Sequence, residues 1–302
     1  MFRRWLADRG QGPRAIDRLW DPIAVATLNA PSDRVATAAA AKVFRDGFFA
    51  PDGANVGLFM RSLGEVFDRA RAYLDDRGGE ARTDATAARI LVEDAAVRGV
   101  ELADEGIIEC DAVVSAVAPD ALRRILPDRS DVAEAVDRAM TLEWSPIVDV
   151  HVWFDRPVMD ELFLIAVDAP IQTAFDVGSL HGTAGEGGYV VVSQSAAGNW
   201  MRRTNDEIGE TVLDALCELL PSARDARCVR RRVIRHPRAT FVPSSGSDAL
   251  RPRAATPIDG LFLAGDWTAT GWPSTIEGAI RSGIAASARV ERRAEASVSP
   301  PS

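Results

Sequence analysis

Cysteine is scarce in this chain, and what there is forms no pattern. Cys110, Cys217 and Cys228 make no CxxC and no metal-ligand spacing, which excludes a disulfide scaffold and a zinc module. They read as free thiols of a reducing compartment. Only three histidines occur, His151, His181 and His236, and no HExxH links them, so no metal is expected. Lys42 is the single lysine among 35 basic residues, which reads as a coding bias rather than as chemistry. Positive charge is in deficit: the net charge of -9 excludes a nucleic-acid partner, since phosphate binding needs a basic face. No apolar run approaches the roughly 18 to 20 residues of a membrane span. Met1 to Gly10 is charged and lacks the apolar core of a signal peptide. A cytoplasmic protein is expected, with peripheral contact at the inner membrane face left open. None of the 23 glycines falls in a GxGxxG, and no internal repeat is present.

The chain does have length and a core-forming composition. Its 302 residues are 47% hydrophobic and 26% charged, enough for about two globular domains. Residues 1 to 48 read helical, with Asp21 as a candidate N-cap before Pro22. These helices either pack as ordinary core or cap a lipophilic cavity. A further helix over 64–79 stops at Gly78-Gly79. Short strands are predicted at Glu80–Thr83, Ala87–Val92, Val97–Leu102 and Gly106–Cys110. Asp111 to Val117 is a continuous apolar run, as in a buried parallel strand, and a helix over Asp120–Leu126 follows. Alternating strands are predicted over 147–154, 162–167 and 189–195. A helix over 204–220 opens on a Thr204/Glu207 capping box, and a strand spans 228–235. This alternation predicts an α/β (mixed α+β) fold of two interleaved domains, each visited twice.

The most informative stretch lies near the C-terminus. Leu261-Phe262-Leu263-Ala264 is an apolar strand that runs into Gly265-Asp266-Trp267. After Thr270-Gly271-Trp272, Pro273-Ser274-Thr275 opens a helix through Ile276, Glu277 and Gly278. A strand end of this kind sets a carboxylate beside a polyol. The helix N-terminus offers N–H groups to electron-rich oxygens. Ordinary N-capping by Ser274 or Thr275 is compatible with the same pattern.

These residues resemble the closing flavin motif of the amine oxidase and phytoene desaturase superfamily. The Gly265-Asp266-Trp267 and Thr270-Gly271-Trp272-Pro273 pieces are most similar to squalene-associated FAD-dependent desaturases, the hydroxysqualene dehydroxylases. Trp20-Asp21-Pro22 through Ala26-Thr27-Leu28-Asn29, Ala72-Tyr73-Leu74 with Gly78-Gly79, the 111–117 run, Arg238-Ala239-Thr240-Phe241 and Arg251-Pro252 extend the resemblance over most of the chain. The family opens with a strand, a GxGxxG loop and a helix that hold the ADP half of FAD. That N-terminal Rossmann βαβ is absent here. The chain thus resembles the C-terminal part of such an enzyme, and a Rossmann segment supplied in trans is one partner the resemblance implies.

The resemblance implies an FAD/NAD(P)-binding-domain remnant at 69–128 and 250–292, interleaved with a substrate domain at 1–68 and 129–249, and a flexible tail at 293–302. It implies FAD as cofactor. Gly265, Asp266 and Trp267 would lie at the ribityl and phosphate region. Pro273, Ser274, Thr275 and Ile276 would lie at the flavin pyrimidine edge. Gly278 would give close helix approach, and the Ala87 backbone would lie near adenine. Trp272 either lines the substrate cavity or packs. Glu277 reads as a helix-dipole charge rather than an acid, and no catalytic acid stands out. The implied reaction is reductive removal of an allylic hydroxyl from hydroxysqualene, giving squalene for hopanoid synthesis. A carotenoid desaturase, an amine oxidase and an inactive or split-enzyme subunit remain alternatives.

Overall fold

The structure, a computed structural model, describes residues 1–51, 55–104, 106–127, 131–183, 185 and 187–298. The strands in chain order are β1 (Ala87–Glu93), β2 (Ala96–Leu102), β3 (Ile107–Glu109), β4 (Val113–Ser115), β5 (Trp144–Phe154), β6 (Phe163–Ile165), β7 (Thr173–Asp176), β8 (Gly188–Gln194), β9 (Cys228–Phe241) and β10 (Leu261–Leu263). The helices used below are α1 (Asp21–Leu28), α2 (Leu63–Asp75), α3 (Pro119–Ile125), α4 (Asp131–Met140), α5 (Asn205–Leu219) and α6 (Ile276–Val298). Among the described residues no helix is long and apolar enough to cross a membrane.

The chain divides into two units, Met1–Ala81 with Trp144–Val242, and Arg82–Glu143 with Pro243–Ser302. Each unit is visited twice. The crossings fall after 81, 143 and 242, where the sequence reading sets them after 68, 128 and 249. The shift has local causes. α2 and its Gly78-Gly79 stop stay with the first unit, while α4 packs beside α3 in the second.

The first unit is built on an antiparallel sheet of order β6-β7-β8-β5-β9. Strict alternation gives it two faces. Val148, Val150, Val152 and Phe154 of β5 join Val190 and Val192 of β8 on the buried face. α5 covers them with Ile208, Val212, Ala215 and Leu216, a helical i, i+4, i+7, i+8 stripe. Each such side chain contributes about 1.5–3 kcal/mol when fully buried. The predicted capping box forms: the Glu207 amide donates to Thr204 Oγ1 at 3.2 Å, and the Thr204 amide donates to Glu207 Oε2 at 2.7 Å.

The N-terminal helices form a second core around Phe2, Leu6, Ile16, Leu28 and Phe44. Asp21 is not an N-cap, because the preceding turn is already helical. Its carboxylate instead accepts from the Ser32 amide at 2.7 Å and from Arg3 at 3.2 Å. At the end of α1, Asn29 takes a left-handed conformation (φ 51°) and is buried. Its amide donates to the Ser145 carbonyl at 3.0 Å and to Thr240 Oγ1 at 2.9 Å, and it accepts from the Ala196 amide at 2.5 Å. One side chain thus ties the end of a helix to β5, to β9 and to the loop after β8. α2 is different: its apolar Leu63, Phe67 and Leu74 are all exposed.

In the second unit, β1, β2 and β3 form an antiparallel sheet, and β4 pairs in parallel with β10. No strand forms at Glu80–Thr83. The expected 111–117 strand shortens to Val113–Ser115, and Val114 is 42% exposed rather than buried. An apolar run forms strand only where a partner backbone lies alongside, and β10 supplies three residues of it. β10 itself is wholly buried. α6 continues to Val298, through part of the stretch read as tail. Arg293 pairs with Asp259 at 2.7 Å and fixes its last turns. Residues 299–302 lie outside the described residues.

Asn29→Ala strands the Ser145 carbonyl and the Ala196 amide. At about 1–3 kcal/mol for each buried group left without a partner, a loss of about 2–6 kcal/mol is expected. Urea unfolding reads it as a lower midpoint with an unchanged slope.

Candidate functional site

The candidate site is the turn and helix that follow β10 in the second unit. Gly265 leaves the strand with φ +121°, and a Cβ there would sit 2.6 Å from the Trp267 indole nitrogen. Only glycine meets both conditions. The Gly265 amide donates to Ser282 Oγ at 2.7 Å, which fastens the turn to the second turn of α6. Trp267 is 2% exposed, and its indole N–H donates to the Val117 carbonyl at 3.1 Å. It therefore acts as the post of the turn, packed under it.

Asp266, between these two fixed neighbours, is half-buried. Its backbone carbonyl accepts from Arg251 at 2.9 Å, and the same guanidinium donates to Thr270 Oγ1 at 3.0 Å. Its carboxylate Oδ2 accepts from the Ser274 hydroxyl. The structure thus joins Asp266 to the Pro273-Ser274-Thr275 segment through one charge-assisted hydrogen bond. Thr275 Oγ1 accepts from the Gly278 amide at 3.1 Å and caps α6. A Cβ on Gly278 would lie 2.7 Å from the Pro273 carbonyl, so glycine is needed for this close approach. Ile276 and Glu277 stand in the first turn, where amides have no helical acceptor. Trp272 is half-buried with Arg281 over its ring at 4.5 Å, and Arg281 also pairs with Glu277 at 2.6 Å. A groove of about 620 Å³ runs beside this segment, lined by Thr268, Thr270, Glu277, Arg281 and Ile284.

Gly265, Asp266, Trp267, Pro273, Ser274, Thr275, Ile276 and Gly278 are therefore gathered around one turn and one helix start. Ala87 stands elsewhere in the unit, at the head of β1 opposite Leu102. Arg251 and Ser282 carry no role in the sequence reading. Their contacts run to backbone groups 15 and 17 residues away, and only the Arg251-Pro252 resemblance pointed at either. Cys110, Cys217 and Cys228 are free thiols. Burial pushes Cys110 and Cys217 above the ordinary thiol value, so neither reads as reactive. No cluster of metal-ligating side chains occurs among the described residues.

The family profile described as "Flavin containing amine oxidoreductase" matches residues 3–291. The 15-cis-phytoene desaturase of Glycine max is 28% identical over 225 residues, covering 70% of this chain and 39% of that protein. The enzyme of the same name from Synechococcus elongatus is 25% identical over 239 residues, covering 74% and 50%. The zeta-carotene desaturase of Arabidopsis thaliana is 25% identical over 320 residues, covering 96% and 57%. The chain thus spans about half the length, or less, of these curated relatives. Among solved structures, a putrescine oxidase bound to putrescine superposes with TM-score 0.70 at 16% identity, covering 96% of this chain and 67% of that one. An oxidoreductase from Methanosarcina mazei gives 0.69 at 18%, with the same coverage. These likenesses carry the fold, and the mixed α/β architecture expected from the sequence is the one observed.

Gly265→Ala and Gly271→Ala separate strain from collision, since both glycines have positive φ but only Gly265 lacks room for a methyl. Gly271→Ala is expected to cost about 1–2 kcal/mol, the left-handed penalty alone. Gly265→Ala should cost clearly more by thermal or urea unfolding. Equal losses would overturn the account of the turn.

Proposed function

The chain belongs to the flavin containing amine oxidoreductase family, and from that premise we infer that it works as an FAD-dependent oxidoreductase on a long isoprenoid. The observation that carries the reading is the Asp266 carboxylate, held at the end of a buried strand and hydrogen-bonded to Ser274 at a helix N-terminus. The donor set suits the flavin half of FAD. A half-buried carboxylate accepts from a polyol, and the first turn of α6 donates to carbonyl oxygens. The ADP half is served differently. No GxGxxG occurs in these 302 residues, and a Rossmann glycine loop outside them would hold the pyrophosphate.

The finer reading is reductive dehydroxylation of hydroxysqualene. When bound, FAD in its reduced form supplies a hydride for the allylic carbon. With that hydride, the allylic carbon would exchange its C–O bond for a C–H bond, and the hydroxide would leave as water with a proton from solvent. The positive end of α6 favours the extra electron density of the reduced cofactor. The phytoene and zeta-carotene desaturases among the relatives favour a second reading, removal of hydrogens from a carotenoid precursor. Analysis of products from the two substrates distinguishes them.

Titration with FAD tests the site. The chain alone is expected to purify nearly colourless and to turn yellow with a Rossmann partner. In that complex Asp266→Ala should weaken FAD binding roughly ten- to hundredfold, the loss of a charge-assisted bond worth about 1.5–3 kcal/mol. Asp266→Asn should lose less, because the amide still accepts. Glu277→Gln should change little, because Glu277 is half-exposed and engaged with Arg281. Parent-like binding by Asp266→Ala would refute the flavin reading of the turn.

A further inference from the structure

The three-stranded sheet of the second unit has an open edge, and that edge is the wall of a groove. In the order β1-β2-β3, β1 has a strand beside it on one side only. Among the described residues no backbone hydrogen bond reaches β1 from any element but β2. A groove of about 720 Å³ runs along it, lined by residues 88–93, by Arg98 of β2, and by Arg123, Arg124 and Leu126 at the end of α3. Consecutive strand residues point to opposite faces of a sheet. A groove that touches all of 88–93 therefore follows the edge of β1 rather than either face. Its two walls are an unpaired strand and a helix end, the kind of cleft in which an extended peptide adds a strand.

The charge of the groove sets it apart from the chain around it. The whole chain carries a net charge of -9. The groove is lined by Arg89, Arg98, Arg123 and Arg124, with Glu93 as its one carboxylate. Each arginine is paired: Arg89 with Glu101 at 2.7 Å, Arg98 with Glu93 at 3.6 Å, Arg123 with Asp137 at 3.0 Å and Arg124 with Asp120 at 3.5 Å. Exposed pairs of this kind are weak. A guanidinium also offers more N–H donors than one carboxylate takes up. A second carboxylate can therefore share each arginine from the groove side. β1 is regular only over 89–91, between register shifts at both ends. The ladder it offers is short, and the arginines must supply much of the affinity.

We propose that this groove docks an acidic, extended segment of another polypeptide. The segment pairs its backbone with the free edge of β1 and sets its carboxylates among Arg89, Arg98, Arg123 and Arg124. About six extended residues, roughly 20 Å, span the strand wall. A second copy of this chain is a poor occupant, because two β1 edges side by side would oppose arginine to arginine. A polyphosphate meets the guanidinium groups but leaves the edge N–H and C=O groups of β1 without partners. An acidic strand satisfies both. None of this depends on the cofactor reading above.

The test is fluorescence anisotropy of the full chain, without FAD, with a labelled peptide of alternating glutamate and valine about eight residues long. Saturable binding is expected, weakened about tenfold between about 0.05 and about 0.3 M salt. The same peptide with lysine in place of glutamate should not bind. The glutamate peptide with every backbone amide N-methylated should bind at least about tenfold more weakly, since it cannot form the ladder. Arg98→Glu combined with Arg124→Glu should weaken the parent peptide at least about tenfold. Arg98→Gln with Arg124→Gln should weaken it less, and serves in its place if circular dichroism shows the first pair unfolded. Arg4→Glu, at an exposed position of the first unit, should leave the midpoint unchanged. Absence of saturable binding, equal binding of the glutamate and lysine peptides, or parent-like affinity in the arginine variants overturns the proposal. Undiminished binding of the N-methylated peptide shows a bare anion site and overturns the strand pairing. Sedimentation of the chain alone as a dimer that the peptide dissociates gives the edge to a second copy and overturns the assigned partner. FAD enters no arm of the experiment, so each outcome leaves the flavin reading as it stands.

Discussion

The fully satisfied amide of Asn29 is the constraint on which the first unit depends. Its three hydrogen bonds reach groups 116, 167 and 211 residues away in the chain. A buried amide is stable only when every donor and acceptor finds a partner. That requirement fixes the end of α1, the start of β5, the end of β9 and the left-handed residue Ala196 in one arrangement. The residues just before Asn29 can be exchanged for others of similar volume; the amide cannot, because no other side chain offers the same donors and acceptor at that length. The resemblance that singled out Ala26-Thr27-Leu28-Asn29 therefore has a structural cause at its last position.

A comparable logic governs the turn after β10. Gly265 is required by its conformation and by the indole beneath it, Trp267 is anchored on Val117, and Arg251 grips the carbonyl of Asp266. The backbone on either side of Asp266 is thus immobilised, and its carboxylate needs little ordering when it meets a ligand. Preorganisation of this kind raises affinity by removing an entropic cost. Trp267 contributes by holding the turn from below, so a residue read from sequence as a cofactor neighbour serves the site through its packing.

What the sequence disclosed follows the range of the interaction involved. The Thr204/Glu207 box, the alternation of β5 and β8 and the glycine at 265 are local patterns, and each is present as read. α4 lies outside the elements expected from the sequence, although Val132, Val136 and Ala139 are buried at helical spacing. The 111–117 run is longer than the strand it forms, since strand length is set by the partner, which lies far downstream in β10. β7 was missed because four residues carry too little periodicity. The roles of Arg251 and Ser282 were out of reach, because their partners are backbone groups that become neighbours only when the turn closes.

The parallel pairing of β4 with β10 also sets an order of events at the ribosome. β4 emerges about 150 residues before its partner, and at about 5–20 residues per second it waits on the order of ten to thirty seconds. During that interval the whole return segment of the first unit is made, and it is able to fold. β4 meanwhile offers unpaired backbone and an apolar Val114 to any neighbouring chain. The late closure makes the second unit the slow and vulnerable half of biogenesis. Within these residues the second unit therefore closes only when Leu261–Leu263 reaches β4.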